Sequence, residues 1–224
     1  MGRWGVRLFE GDQDIDIALE INSTFGEGVN DLELSSMIHQ TDMLAPSFAR
    51  LHYQSSEYQE ELAKIVADTR AKLDANDLGK KVIQHWRAKE DETSGKYRVV
   101  IAVALLMRAG AKIEKADIQH ARELASRVNC NSRFTFALFD DGFRDPGRAQ
   151  FLAALNHYKP GTPRNYQEPS CFYCGRVKGD IRKELMKCAS CKEAWYCDKQ
   201  CQKPHWKTHK PSCTDPMKTW SANR

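Results

Sequence analysis

Apolar residues along the first two thirds of this chain recur at three and four positions with polar residues between them, the period of helices buried on one face. Ile15, Ile17, Ala18, Leu19 and Ile21 follow Asp12 and Asp14, which predicts a helix whose acidic residues sit near its positive N-terminal end. A longer helix is expected after Ser55 and Ser56, with Leu62, Ile65, Val66, Thr69 and Leu73 on its inner face and an end near Asn76. Tyr97 to Arg108 is apolar on most sides. Its length and its Ala and Leu content favour a buried helix, closed by Gly110 as C-terminal cap. Ile118 to Val128 forms another amphipathic stretch. Asp145-Pro146 reads as an N-cap followed by proline at the first helical position, opening a helix through Phe151, Leu152, Leu155 and Tyr158.

The pattern then stops. Lys159 to Ser170 holds three prolines and one glycine with little to pack, which marks a flexible linker. The expected organisation is a helical domain over 1–160, a linker over 161–170, a compact cysteine-rich module over 171–213 and a tail over 214–224.

At 224 residues the chain accommodates one ordinary domain and a small module. Its formal charge of +4 is unevenly spread. Residues 1–170 carry 22 Lys and Arg against 25 Asp and Glu, a net −3, and residues 171–224 carry 12 against 5, a net +7. The longest apolar run, Val99 to Met107, has nine residues, far short of the roughly 20 that cross a bilayer. Met1-Gly2 invites N-myristoylation, but Val6 stands where Ser or Thr is wanted, and no secretory pattern follows. A reducing cytoplasmic or nuclear compartment is expected, where thiolates remain free to bind metal.

The chemistry lies in the spacing Cys171-x2-Cys174, Cys188-x2-Cys191, Cys197-x3-Cys201 and His209-x3-Cys213. A gap of two turns tightly enough to bring two donors to one ion, and a gap of three stacks them on adjacent helical turns. Eight thiolate and imidazole donors without a carboxylate match two closed tetrahedral zinc sites; catalytic zinc keeps a position open for water. Seven thiolates and two Zn2+ lower the tail's charge to about +4. Spacing leaves open whether consecutive or alternate pairs share an ion. Cys130 has no partner at ligand spacing, and His39, His52, His85, His120 and His157 are scattered without pairing. Asp140-Asp141-Gly142 reads as a turn.

Cys171-x2-Cys174-Gly175, Leu185-Met186-Lys187-Cys188-Ala189-Ser190-Cys191, Tyr196-Cys197, Cys201-Gln202, His205-Trp206 and His209-Lys210-x2-Cys213 together resemble the MYND zinc finger over residues 171–213. The resemblance implies an alternating ligand set: Cys171, Cys174, Cys197 and Cys201 on one ion, Cys188, Cys191, His209 and Cys213 on the other. His205 is the competing histidine; it would leave seven residues before Cys213, so His209 is assigned. The opening Met1-Gly2-x-Trp4-Gly5-x3-Phe9-x2-Asp12 is similar only to the start of small uncharacterised domains.

The fold class expected is thus a mainly α N-terminal domain plus a two-zinc finger built from a short β-hairpin and short helices. The hairpin should lie between Cys188 and Cys197 with Trp195 and Tyr196 on its second edge. Asp198 should cap one short helix, and Pro204 should open a second. The MYND resemblance implies recruitment of partner proteins through short proline-containing peptides, with Gln202 and Trp206 at the contact positions. Ala189 stands where some peptide-binding members carry Ser. An adaptor role in transcriptional regulation follows from the same resemblance.

The alternative is nucleic-acid binding through Lys199, Lys203, Lys207 and Lys210, a stripe that a break at Pro204 would divide. Relatives in which the finger is inserted in a SET-domain methyltransferase have sequence on both sides of it, whereas eleven residues follow Cys213 here. Asn129-Cys130-Asn131 also matches poorly the asparagine-histidine-cysteine motif of those enzymes. No catalysis is expected.

Overall fold

The computed structural model describes residues 5–26, 32–38, 51–131 and 142–213. Eight α-helices are described: α1 (Asp12–Phe25), α2 (Ser56–Asp74), α3 (Leu78–Ala88), α4 (Gly95–Ala109), α5 (Lys115–Arg127), α6 (Asp145–His157), the one-turn α7 (Lys178–Ile181) and α8 (Lys199–His209). Two minimal sheets accompany them. β1 (Cys130–Asn131) pairs in parallel with β2 (Phe143–Arg144), and β3 (Met186–Lys187) pairs antiparallel with β4 (Trp195–Tyr196). None of the described helices is long and apolar enough to cross a membrane.

The core is built around α4. Its apolar run from Val99 to Met107 is buried on every side, with α1, α2, α3 and α5 packed against it. Gly110 ends this helix in the left-handed region at φ 76°, and its N–H returns to the carbonyls of Leu106 and Met107. Arg108 is buried in the last turn and its Nε donates to the Met37 carbonyl at 3.0 Å. Burial draws its guanidinium down to about 10, which leaves it charged at neutral pH.

Several sequence expectations meet differences with evident causes. Asp14 does more than face the dipole of α1. It is fully buried, accepting the Phe9 N–H at 2.8 Å and the Tyr97 hydroxyl at 2.6 Å, so it ties the N-terminal loop to α4. Leu19, counted with the inner face of α1, is 48% exposed. Ser55 caps α2 by accepting the Tyr58 N–H at 3.2 Å. Helix α3 was not anticipated, although Leu78, Val82, Ile83 and Trp86 recur at helical spacing. Helix α6 starts one residue early: Asp145 is already helical, and its carboxylate takes the Cys130 thiol at 3.2 Å instead of capping the backbone. Of the expected Asp140-Asp141-Gly142 turn, both aspartates lie outside the described residues.

The segment expected to be a flexible linker lies against the helical body. Tyr166 is buried edge-on against Phe9 at 5.1 Å, and its carbonyl accepts the Gln150 side-chain amide at 3.0 Å. Arg7 donates to the carbonyls of Gln167 and Glu168, and the Arg164 and Gly161 N–H groups bond the carbonyls of Met107 and Gly110. The prolines that suggested looseness prevent this segment from forming a helix. An irregular strap of turns and bends results, several of whose polar backbone groups are met by the helical body.

Candidate metal centre

The finger begins where the strap ends. Ser170 bridges to Val177, and the Cys171 N–H bonds the Arg176 carbonyl at 2.8 Å, closing the first knuckle. Gly175 carries the turn at φ 73°, and a Cβ there would lie 1.8 Å from the Ala149 carbonyl oxygen of α6. The knuckle therefore sits directly on the helical body. Asp180 strengthens this junction, its carboxylate taking both guanidinium nitrogens of Arg164 at 2.7 and 2.8 Å and the Val177 N–H at 3.0 Å. Burial opposes the charge, but the Arg164 guanidinium and the Val177 N–H hold this carboxyl below its usual range.

The hairpin starts earlier than expected. Its first strand, Met186–Lys187, precedes Cys188, so the Cys188-x2-Cys191 knuckle forms the loop of the hairpin, closed by Cys188 N–H donating to the Ala194 carbonyl at 2.8 Å. Helix α8 is continuous. Asp198 caps it through the N–H groups of Gln200 and Cys201, as expected, but Pro204 sits inside it instead of opening a second helix. The proline removes one N–H, yet Cys201 before it and His209 after it are both anchored in donor clusters, which hold the two halves in line.

Two groups of four donors result. Cys171, Cys174, Cys197 and Cys201 converge in one, and Cys188, Cys191, His209 and Cys213 in the other, with donor atoms of each group within 4.8 Å of one another. Alternate pairs thus share a cluster, the arrangement the resemblance implied and spacing left open. A tetrahedral zinc with Zn–S bonds of about 2.3 Å requires sulfurs about 3.8 Å apart, and a sulfur and an imidazole nitrogen about 3.5 Å apart. Cys174 and Cys197 are 3.5 Å apart, Cys174 and Cys201 3.9 Å, Cys188 and Cys213 3.7 Å, and Cys191 Sγ and His209 Nε2 3.5 Å. All of these cysteines are free thiols. The donor set and its spacing fit one Zn2+ in each cluster, held by four protein donors with no position left for water.

The surroundings suit anionic sulfur. Arg176 Nε approaches Cys174 Sγ at 3.3 Å. This guanidinium favours the thiolate form of Cys174 that a bound ion requires. His205 belongs to neither cluster. Its Nδ1 is hydrogen bonded to the Tyr196 hydroxyl at 2.9 Å and its ring stacks parallel to His209, so it braces the ligand it was weighed against. Apart from cysteines, the buried apolar residues described in the finger are Val177, Leu185, Ala194 and Tyr196, too few to fold so small a module unaided.

Gln202 and Trp206 lie one turn apart on the outer side of α8, and Trp206 is 42% exposed with its ring edge-on to His209 at 5.9 Å. The remaining sequence candidates are structural. His52 packs on Tyr58, His85 on Trp86, and His120 pairs with Glu90; His157 approaches Asp180 at 4.0 Å, and His39 lies outside the described residues. Arg164, Asp180 and Arg176 were not singled out from the sequence. Only the adjacency of Arg176 to Cys174-Gly175 hinted at any of them.

Among curated proteins, the chain is 34% identical over 94 residues to the N-lysine methyltransferase SMYD2 of Homo sapiens, a match covering 36% of this chain and 20% of that protein. It is 36% identical over 81 residues to SMYD2-A of Danio rerio, covering 32% and 18%. To the histone-lysine N-methyltransferase ASHR1 of Arabidopsis thaliana it is 28% identical over 75 residues, covering 30% and 16%. The chain spans about a fifth of the length of the curated relatives it matches. No solved structure matches. Residues 171–213 match the MYND family, and with the two donor clusters in place this segment is a MYND zinc finger, a protein-interaction module.

Proposed function

We propose that the finger docks short proline-containing peptides of partner proteins, with Trp206 and Gln202 as the contact residues. The observation that carries this reading is the exposure of Trp206. In a module with so small a core, a tryptophan that serves packing would be buried; here Tyr196 and His205 fill that place and leave the indole facing solvent. A flat apolar ring suits proline, and the Gln202 amide one turn away offers both a donor and an acceptor to a peptide backbone.

The hairpin supplies a second support. The Trp195 carbonyl is used by the Phe172 N–H at 2.8 Å, so Trp195 and Lys187 form the pair without mutual hydrogen bonds, and the N–H and C=O of Lys187 point away from β4. Strand β3 is therefore the edge to which an extended peptide can add. In this reading the chain is an adaptor that serves transcriptional regulation in the cytoplasm or nucleus. It contributes recruitment and no catalytic step. A measured transfer of methyl from S-adenosylmethionine would remove the last part.

The test is binding of a labelled proline-containing peptide to the zinc-loaded chain. Trp206→Ala should weaken it by roughly 30-fold or more with two zinc ions retained. Unchanged affinity removes Trp206 from the site.

One observation favours nucleic acid as a second reading: because α8 runs unbroken through Pro204, Lys199, Lys203 and Lys207 lie along one helix, with Lys210 at its C-cap. Phosphate contacts lose affinity steeply with salt, whereas apolar docking does not, so a salt titration separates the two.

A further inference from the structure

Helix α8 presents more than an indole. Lys199, Lys203, Lys207 and Lys210 are all exposed, and among the described residues none of them enters an ion pair. Of the finger's four described carboxylates, Asp180 pairs with Arg164, Glu184 with Lys178 and Asp198 with Lys183, while Glu193 is exposed and enters no ion pair among the described residues. At about 100° per residue the backbone positions of the four lysines fall within an arc of about 80°, and Trp206 lies about 20° outside its border. An apolar ring thus stands at the margin of a strip of uncompensated positive charge about 16 Å long, the reach of about five residues of extended chain.

We infer that the peptide docked at Trp206 is acidic, with Asp or Glu residues flanking its proline and facing Lys203, Lys207 and Lys210. This rests on the peptide-docking reading above and adds the charge of the ligand to it. Charge complementarity is the ground: a neutral or basic segment lying along this strip would leave the ammonium groups unmatched or repelled, whereas carboxylates pair with them and steer encounter. The finger's open β3 edge favours a peptide over a nucleic acid. Lys187 offers one donor and one acceptor there, and another peptide strand answers both, while a phosphodiester backbone has only acceptors and would leave the carbonyl unanswered. Non-specific strand binding also draws on successive aromatic platforms, and Trp206 is the single exposed aromatic ring described on α8.

The experiment uses the full zinc-loaded chain and three synthetic peptides of equal length, each with one central proline flanked by Glu, by Gln or by Lys. Each exposed ion pair contributes about two-fold, so three should make the Glu peptide roughly ten-fold tighter than the Gln peptide at low ionic strength. The advantage should shrink to within about two-fold near 0.5 M salt, where screening shortens to a few ångströms. The charge reversal K203E/K207E should invert the order in favour of the Lys peptide, with two zinc ions retained.

Equal binding of the Glu and Gln peptides at low salt, or an unaltered order in K203E/K207E, overturns the inference and leaves proline docking standing. Binding of none of the three removes both readings. A single-stranded oligonucleotide that displaces the Glu peptide and still binds Trp206→Ala assigns the strip to nucleic acid and also overturns the inference.

Discussion

Asp180→Ala is the substitution that best tests whether strap and finger form one body. The carboxylate is 6% exposed and its partner Arg164 12%, so the pair is largely removed from water. Truncating Asp180 leaves a desolvated guanidinium without a counterion and the Val177 N–H without an acceptor. Breaking such a pair costs about 3 kcal/mol or more, and at roughly 2–4 °C per kcal/mol in a chain of this size the melting temperature should fall by roughly 6–12 °C. Metal complicates two-state treatment, so the melt should be followed at fixed free zinc. Asp180 is not among the donors, so elemental analysis should still find two zinc ions. Replacing both partners by apolar residues, Arg164→Met with Asp180→Leu, should recover most of the loss, because no unpaired charge remains. A fall of less than about 2 °C, or backbone amides of 164–170 that exchange freely in the unmodified chain, would show that the strap does not hold the finger.

Cys197→Ser should abolish metal binding at its cluster and unfold the finger, read as loss of dispersed amide resonances; both ions retained with native dispersion would refute the ligand assignment. His209→Ala should cost one zinc by elemental analysis, whereas His205→Phe should keep both ions and lower only the finger's stability, since His205 braces Tyr196. Chelation should melt residues 171–213 while α4 and its neighbours retain their helical circular dichroism, because that core contains no metal donor. Burial and the Asp145 hydrogen bond push the Cys130 thiol up to about 12. Its thiolate fraction therefore stays small through pH 9 and grows only toward that value, so mass-mapped alkylation of the zinc-loaded chain should leave Cys130 unmodified at pH 8.

The helical period announced α1, α2, α4, α5 and α6, because amphipathic spacing is a local consequence of one face being buried. The eight donors were equally legible, since tight knuckles and single helical turns are short-range geometry. Elsewhere local signals misled. Pro160, Pro163 and Pro169 read as looseness, but Tyr166 fits a slot against Phe9 that only the folded body creates. Pro204 read as a helix boundary, but anchors on both sides of it keep α8 continuous.

What the sequence determined alone is therefore the inventory: a helical core, eight metal donors at workable spacings, and an aromatic residue and lysines along the last helix. Tertiary structure decided which donors share a cluster, that His205 braces while His209 joins one, that Trp206 faces solvent, and that the finger is pinned through Arg164 and Asp180. The reason is physical. Spacing constrains residues within a turn or two of each other, whereas convergence of four side chains, or burial of a charge pair 16 residues apart, depends on how separate elements pack.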